Sequence, residues 1–376
     1  MILEKTIPHP LLRATRLPGV FLLGLLLLGC LDEIDLAQGE PLPSGIVLQG
    51  RINAGNDGEP SDVEIRLERL FIAEESNRPD RVVTATVTVE NSEGQSVPLR
   101  YADDAYVVEI PANDPDFRVA PGLGYRARAI TREGEEYLTE FDVLPPPLEV
   151  DEAGATLATT EVLNTIGNPI TVPAMRFDVS APVRYPDGSP TFLRWTLERT
   201  YKVTDLPGIL PFLNNDPKSC YVSRALDGDD LKLFSSLTST ADRVEDLVLT
   251  FDPVDYEYSE GYVMTIFQEA LSQEAFEYFD QIDRIGSRES SLFEPPAGPV
   301  VGNAFDVAGE SSNVFGFFYA TNRTLGRVAV SPEEAGNPAF FCPLSRPPSP
   351  FPSANDCDDC LRINNSVLQR PSWFPF

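Results

Sequence analysis

Cys357-Asp358-Asp359-Cys360 has the spacing of redox dithiols and of zinc-binding cysteine pairs. Together with Cys220 and Cys342 it supplies enough thiolates for a four-cysteine zinc site. Redox catalysis needs a depressed thiol pKa, and two aspartates between the sulfurs push the other way. Asp227-Gly228-Asp229-Asp230 clusters oxygen ligands of the kind that hold calcium. It lacks the spacing of an EF-hand loop and reads better as a solvated turn. Asn113-Asp114-Pro115-Asp116 reads as another turn. The chain has one histidine, His9. No phosphate loop, Gly-x-Ser-x-Gly elbow or dinucleotide fingerprint occurs in the sequence. Carboxylates are numerous enough for a paired-acid glycosidase, but no pair stands out. The expectation is a protein that is not an enzyme and carries no cofactor.

Cys30 has a different chemistry. Lys5, Arg13 and Arg16 precede the apolar run Val20–Leu28, which is too short for a bilayer span of roughly 20 residues. The run ends in Leu27-Leu28-Gly29-Cys30, which resembles a bacterial lipoprotein cleavage box. Small Gly29 suits the peptidase, and the Cys30 thiol is the acylation site. Cleavage there removes His9, and with it Ser-His-Asp catalysis, Cys-His catalysis and histidine-ligated zinc. More than one acyl chain gives stable anchoring. Asp32 and Glu33 resemble the surface-export signal of Bacteroidota lipoproteins, and read otherwise as a solvated acidic tether. In an exported chain the four remaining cysteines, Cys220, Cys342, Cys357 and Cys360, suggest two disulfides with three possible pairings. Joining Cys342 to Cys357 closes a loop worth about 3 kcal/mol in the chain-entropy model. Joining Cys220 to Cys360 staples the C-terminal segment to the body, and is the preferred arrangement.

These residues need a scaffold, and composition indicates its kind. The 376 residues include 35 Pro, 25 Gly, 22 Phe and 12 Tyr, which favours short strands and turns over long helices. The net charge of −29 argues against nucleic acid or anionic lipid as the main partner. Val63, Ile65 and Leu67 alternate with Glu64, Arg66 and Glu68, the period of a half-buried strand. Similar runs at Ile46–Ile52, Ala85–Val89, Tyr106–Ile110, Gly124–Ile130 and Tyr137–Phe141 predict an N-terminal β-sandwich. Pro145-Pro146-Pro147 marks a boundary. Beyond it, strands are expected at Met175–Val179, Phe192–Val203, Leu247–Phe251, Gly261–Phe267, Val314–Ala320 and Arg327–Val330. Trp195 shares a face with Leu193 and Leu197 and is expected in the core. Ser272 can cap a helix whose apolar face is Phe276, Phe279 and Ile282 and which Gly286 ends. The fold class is therefore mainly β: an N-terminal β-sandwich plus a larger β-rich C-terminal domain with one amphipathic helix. The expected organisation is a signal peptide over 1–29, a lipidated tether over 30–44, the sandwich over 45–145 and the larger domain over 146–376.

The Gly-x-x-Tyr approach to a strand, ending at Tyr125, then the charged Gly134 turn, then Tyr137, resembles carboxypeptidase-regulatory-like (prealbumin-like) domains. A longer series of features follows one order. It runs from Cys30 and Ile34-Asp35-Leu36 through Ile46-Val47-Leu48-x-Gly50-x-Ile52, Tyr125, Gly134 and Tyr137 to the proline run. It continues with Cys220, Tyr262-x-Met264-x-Ile266, Phe276-Glu277-Tyr278-Phe279, Phe293-Glu294-Pro295-Pro296, Gly302-Asn303 and Val314–Phe318. It closes with Cys357–Cys360 and Pro371–Trp373. This series resembles the Bacteroidota lipoprotein family called domain of unknown function 4249. The resemblance implies an outer-membrane lipoprotein held by its lipid anchor and encoded beside a TonB-dependent receptor, its expected partner. It implies no catalytic residues. The chain departs from the family in its strong acidity and in the polar insert from Glu74 to Pro79, so the ligand stays open.

Overall fold

A strand that alternates apolar and polar residues can bury one face and leave the other for polar work. Ser61–Arg69 does this with Val63, Ile65 and Leu67 turned into the core. A computed structural model describes residues 45–56, 58–70, 80–206, 216–226, 232–286, 300–309, 313–342 and 357–376. Cys30 with its box Leu27, Leu28 and Gly29, the pair Asp32 and Glu33, and the cluster Asp227, Asp229 and Asp230 lie outside the described residues.

Among the described residues, ten strands precede the proline run. They are β1 (Ile46–Ala54), β2 (Ser61–Arg69), β3 (Asp80–Arg81), β4 (Thr86–Asn91), β5 (Ser96–Pro98), β6 (Arg100–Ala102), β7 (Ala105–Ile110), β8 (Gly124–Ile130), β9 (Glu136–Thr139) and β10 (Asp142–Val143). After it come β11 (Glu152–Leu163), β12 (Pro169–Pro182), β13 (Phe192–Thr204), β14 (Ser219–Ala225), β15 (Lys232–Ser235), β16 (Arg243–Pro253) and β17 (Tyr262–Leu271). Helix α1 (Gln273–Gly286) follows, then β18 (Ala304–Asp306), β19 (Val314–Phe315), β20 (Phe318–Val330) and β21 (Ser366–Val367). The protein is mainly β, with one α-helix among the described residues. No described helix is long and apolar enough to cross a membrane.

The largest sheet has the order β21-β14-β13-β17-β20-β1-β2-β7-β6, with β15, β19 and β3 attached at β13, β1 and β2. β1 and β20 run parallel at its centre, so strands from before and after the proline run share one sheet. A second sheet has the order β18-β9-β8-β4-β5, with β10 on β8. A third is β11-β12-β16. Two large apolar clusters form the core. One joins Leu48, Ile52, Val63, Ile65 and Phe318 of the first sheet to Val87, Val89, Tyr125 and Tyr137 of the second. The other gathers Phe177, Leu193, Trp195, Tyr201, Tyr262 and Ile266 beyond the proline run. Each such side chain contributes about 1.5–3 kcal/mol on burial. Trp195 lies in this core, and its indole N–H donates to Gln268 at 3.0 Å.

The stretch Val314–Ala320, expected as one strand, is broken at Gly316. Its φ of +106° suits glycine, and a Cβ there would collide with the Leu48 carbonyl. The chain resumes as β20, which runs on through the separate strand expected at Arg327–Val330. β12 is also longer than its expected Met175–Val179 core. Among the described residues, its first residues, Pro169 to Val172, pair with β11 alone, and β16 joins at Ala174, with the Val254 N–H donating to the Pro173 carbonyl. Prolines are tolerated where a strand has a partner on one side.

The cysteines pair as Cys220–Cys360 and Cys342–Cys357. The first closes a sequence separation of 140 and the second one of 15. Cys220 and Cys360 sit fully inside the second cluster. The bond therefore locks the C-terminal segment onto β14.

A candidate functional site beneath the helix

Helix α1 starts at Ser272, whose Oγ accepts from the Ala275 N–H at 3.0 Å. Phe276 and Phe279 pack on a small cluster of Phe192, Leu271, Ala275, Phe317 and Tyr319. The helix thus lies on one face of the large sheet, as its amphipathic pattern predicts. Beneath it the sheet is polar. The apolar residues of β1 and β2 face the core, so Arg51, Glu64 and Arg66 face the helix side. Arg51 is in direct register with Tyr319 on β20 and Glu64 on β2. Arg194 on β13 is in register with Glu269 on β17.

These residues line an open pocket of about 290 Å³, walled by Tyr278, Phe279 and Ile282 of the helix and by Phe317 and Tyr319 of the sheet. Its floor is an ion pair. Arg194 donates Nε to Glu269 Oε2 at 2.6 Å and Nη2 to the Tyr319 hydroxyl at 2.6 Å. The Arg194 guanidinium also stands 3.8 Å from the Phe279 ring centre, close enough for cation–π attraction. Burial works against the Arg194 charge, but Tyr319 and Glu269 outweigh it and raise its pKa. Burial likewise pushes the Tyr319 hydroxyl up, with Glu269 adding to it, so Tyr319 stays a neutral hydrogen-bonding group.

At the mouth, Arg66 pairs with Glu64 at 2.6 Å. Arg51 comes no closer to Glu64 than 3.9 Å, and its buried Nε has no partner among the described residues. Desolvation disfavours its charge, but Tyr319, Glu269, Asp62 and Glu64 together hold its pKa above the ordinary arginine value. The site therefore offers a permanent cation, two paired arginines and aromatic walls. That set can hold an anionic or hydrogen-bonding small molecule.

Asp142 fixes the start of the lid helix. Its carboxylate accepts from Ser272 Oγ at 2.5 Å and from the Ala320 N–H at 2.7 Å. Burial raises its pKa from 3.8 to about 7, while the Ser272 and Ala320 hydrogen bonds oppose the rise. A roomier cleft of about 500 Å³ lies at this end of the helix, between Pro121, Pro145, Tyr185 and Glu274. It lacks the convergent guanidinium groups of the smaller cavity.

None of the cavity's charged residues stands out in the sequence. Gln49, Arg51 and Asn53 look like the solvent face of β1, as Glu64 and Arg66 do for β2. The legible signals are Arg194 inside Phe192-Leu193-Arg194-Trp195 and Glu269 inside Ile266–Leu271, charges set in apolar runs. The four cysteines, which spacing does single out, serve as staples. Among the described residues no group of three or more His, Cys, Asp or Glu could hold a metal ion.

A family model described as a domain of unknown function (DUF4249) matches residues 33–327. A comparison with curated proteins finds no match.

Proposed function

The chain belongs to the DUF4249 family, and on that premise we propose that it is a non-enzymatic lipoprotein of the bacterial outer membrane. It is anchored through Cys30, faces the cell exterior, and captures a small ligand for a TonB-dependent transporter. The observation that carries the ligand-capturing role is the cavity beneath α1, where Arg51, Arg66 and Arg194 converge in a chain of net charge −29. An acidic protein gains nothing for solubility by gathering guanidinium groups under an aromatic lid, whereas recognition of a ligand uses both. The anchor is supported by Leu27-Leu28-Gly29-Cys30, and the exterior orientation by Asp32 and Glu33. The transporter partner and the Bacteroidota origin rest on the family resemblance. In this reading residues 45–145 supply most of an N-terminal sandwich, which β18, β19 and β20 complete from beyond the proline run.

A second reading, a structural or adhesive surface module, is favoured by one feature. The arm formed by Thr156–Pro173 carries a single charged residue, Glu161, and exposes Leu157, Leu163, Ile166 and Ile170. An uncharged, apolar hairpin tip suits contact with another surface.

Fractionation with surface proteolysis tests the location. The native chain is expected in the outer membrane and open to added protease on intact cells, and Cys30→Ala is expected to leave that fraction. A Cys30→Ala protein that stays in the outer membrane would sink the proposal.

A further inference from the structure

The geometry points to a monoanionic carboxylate with a small planar, apolar body as the ligand of the cavity beneath α1, with Arg51 as its ion-pair partner. This inference rests on the reading of that cavity as the ligand site. Charge pairing within the cavity carries it. Arg194 is consumed by Glu269, Tyr319 and the Phe279 ring. Arg66 is consumed by Glu64. Asp62, the other nearby carboxylate, accepts from the Asn53 side chain at 2.7 Å and makes no ion pair with Arg51 among the described residues. Arg51 keeps only the long pair to Glu64 at 3.9 Å, its side chain 29% exposed and its Nε without a hydrogen-bond partner among the described residues.

A half-buried guanidinium with open donors is costly unless an acceptor arrives, and a carboxylate matches its planar fork. A guanidinium held only by a long pair to Glu64 has donors left for one carboxylate. A phosphate dianion would bring excess charge beside Glu64 and Glu269. Tyr278 stacks on Phe317 at 4.7 Å between ring centres, giving the cavity a flat apolar wall. At about 290 Å³ the space suits a small molecule, not a peptide or an oligosaccharide chain.

The test uses para-fluorobenzoate and its neutral isostere para-fluorobenzamide as probes, followed by fluorine NMR on the detergent-solubilised full chain. Saturable binding of the acid is expected, with the amide at least about tenfold weaker. Arg51→Gln is expected to weaken the acid by about tenfold or more and leave the amide unchanged. Should Arg51→Gln fail to fold, Arg51→Lys keeps the charge and must still weaken the acid through loss of the fork. Equal binding of acid and amide, an Arg51 variant that binds as well as the native chain, or competition by inorganic phosphate as strong as by unlabelled benzoate would overturn the inference. Recovery of the transporter with the protein is independent of these probes. Failed probe binding with the transporter recovered therefore overturns the ligand class and leaves the proposed function standing.

Discussion

Arg194 and Glu269 face each other at paired positions of β13 and β17, and Nε meets Oε2 at 2.6 Å with both side chains almost fully buried. The pair forms the floor of the cavity under α1, and the hydroxyl of Tyr319 completes its hydrogen bonding. A buried pair of this kind adds little net stability over an apolar replacement, but breaking it strands a charge.

Glu269→Gln should therefore lower unfolding stability by about 3–5 kcal/mol, measured by urea denaturation. The double change Arg194→Met with Glu269→Leu should cost clearly less than the single one. A single variant as stable as the native chain would show that the pair is not desolvated.

Asp142 makes stability depend on pH. Its carboxyl is raised from 3.8 to about 7 in the fold, first by burial. The folded chain therefore holds a proton that the unfolded chain has released. The contribution is complete below the unfolded pKa, declines as pH rises, and is lost on passing about 7. Urea midpoints measured from about pH 5 to about pH 8 should fall in the native chain and stay flatter in Asp142→Asn. Parallel slopes in the two proteins would contradict this assignment.

The disulfides predict an unequal pair of losses. Replacing Cys220 and Cys360 together by serine should cost about 4–5 kcal/mol, and replacing Cys342 and Cys357 about 3 kcal/mol. Non-reducing peptide mapping checks the connectivity directly. A peptide joining Cys220 to Cys342 would refute it.

Gly316 separates β19 from β20 at φ +106°, against the Leu48 carbonyl. Gly316→Ala should destabilise the fold by at least about 1–3 kcal/mol, since both the backbone angle and the close approach exclude a Cβ. Thermal unfolding of this variant, beside Gly134→Ala in an open turn, separates the two effects. Gly134 also has positive φ, but nothing lies within 4 Å of its added Cβ.

How far the sequence reveals this protein depends on the kind of signal. Val63, Ile65 and Leu67 announce β2 because period-two burial leaves a direct trace. Ser272 and Gly286 mark the ends of α1 because caps have strong chemical preferences. β11 carries no such trace. Its residues alternate weakly, and much of the strand is exposed. The shared central sheet is also hidden, because the parallel pairing of β1 with β20 joins segments more than 250 residues apart and no local pattern encodes it. For the same reason the candidate site was not visible. Arg51, Arg194 and Glu269 lie on three strands distant in the chain, and only the register brings them under one helix.

The most direct test of the proposed function is recovery of the tagged, lipidated chain from gently solubilised outer membranes, with its companions identified by mass spectrometry. Stoichiometric recovery of a TonB-dependent receptor is the predicted result. Recovery of the chain alone, from membranes that contain such receptors, would contradict it and favour the structural or adhesive module.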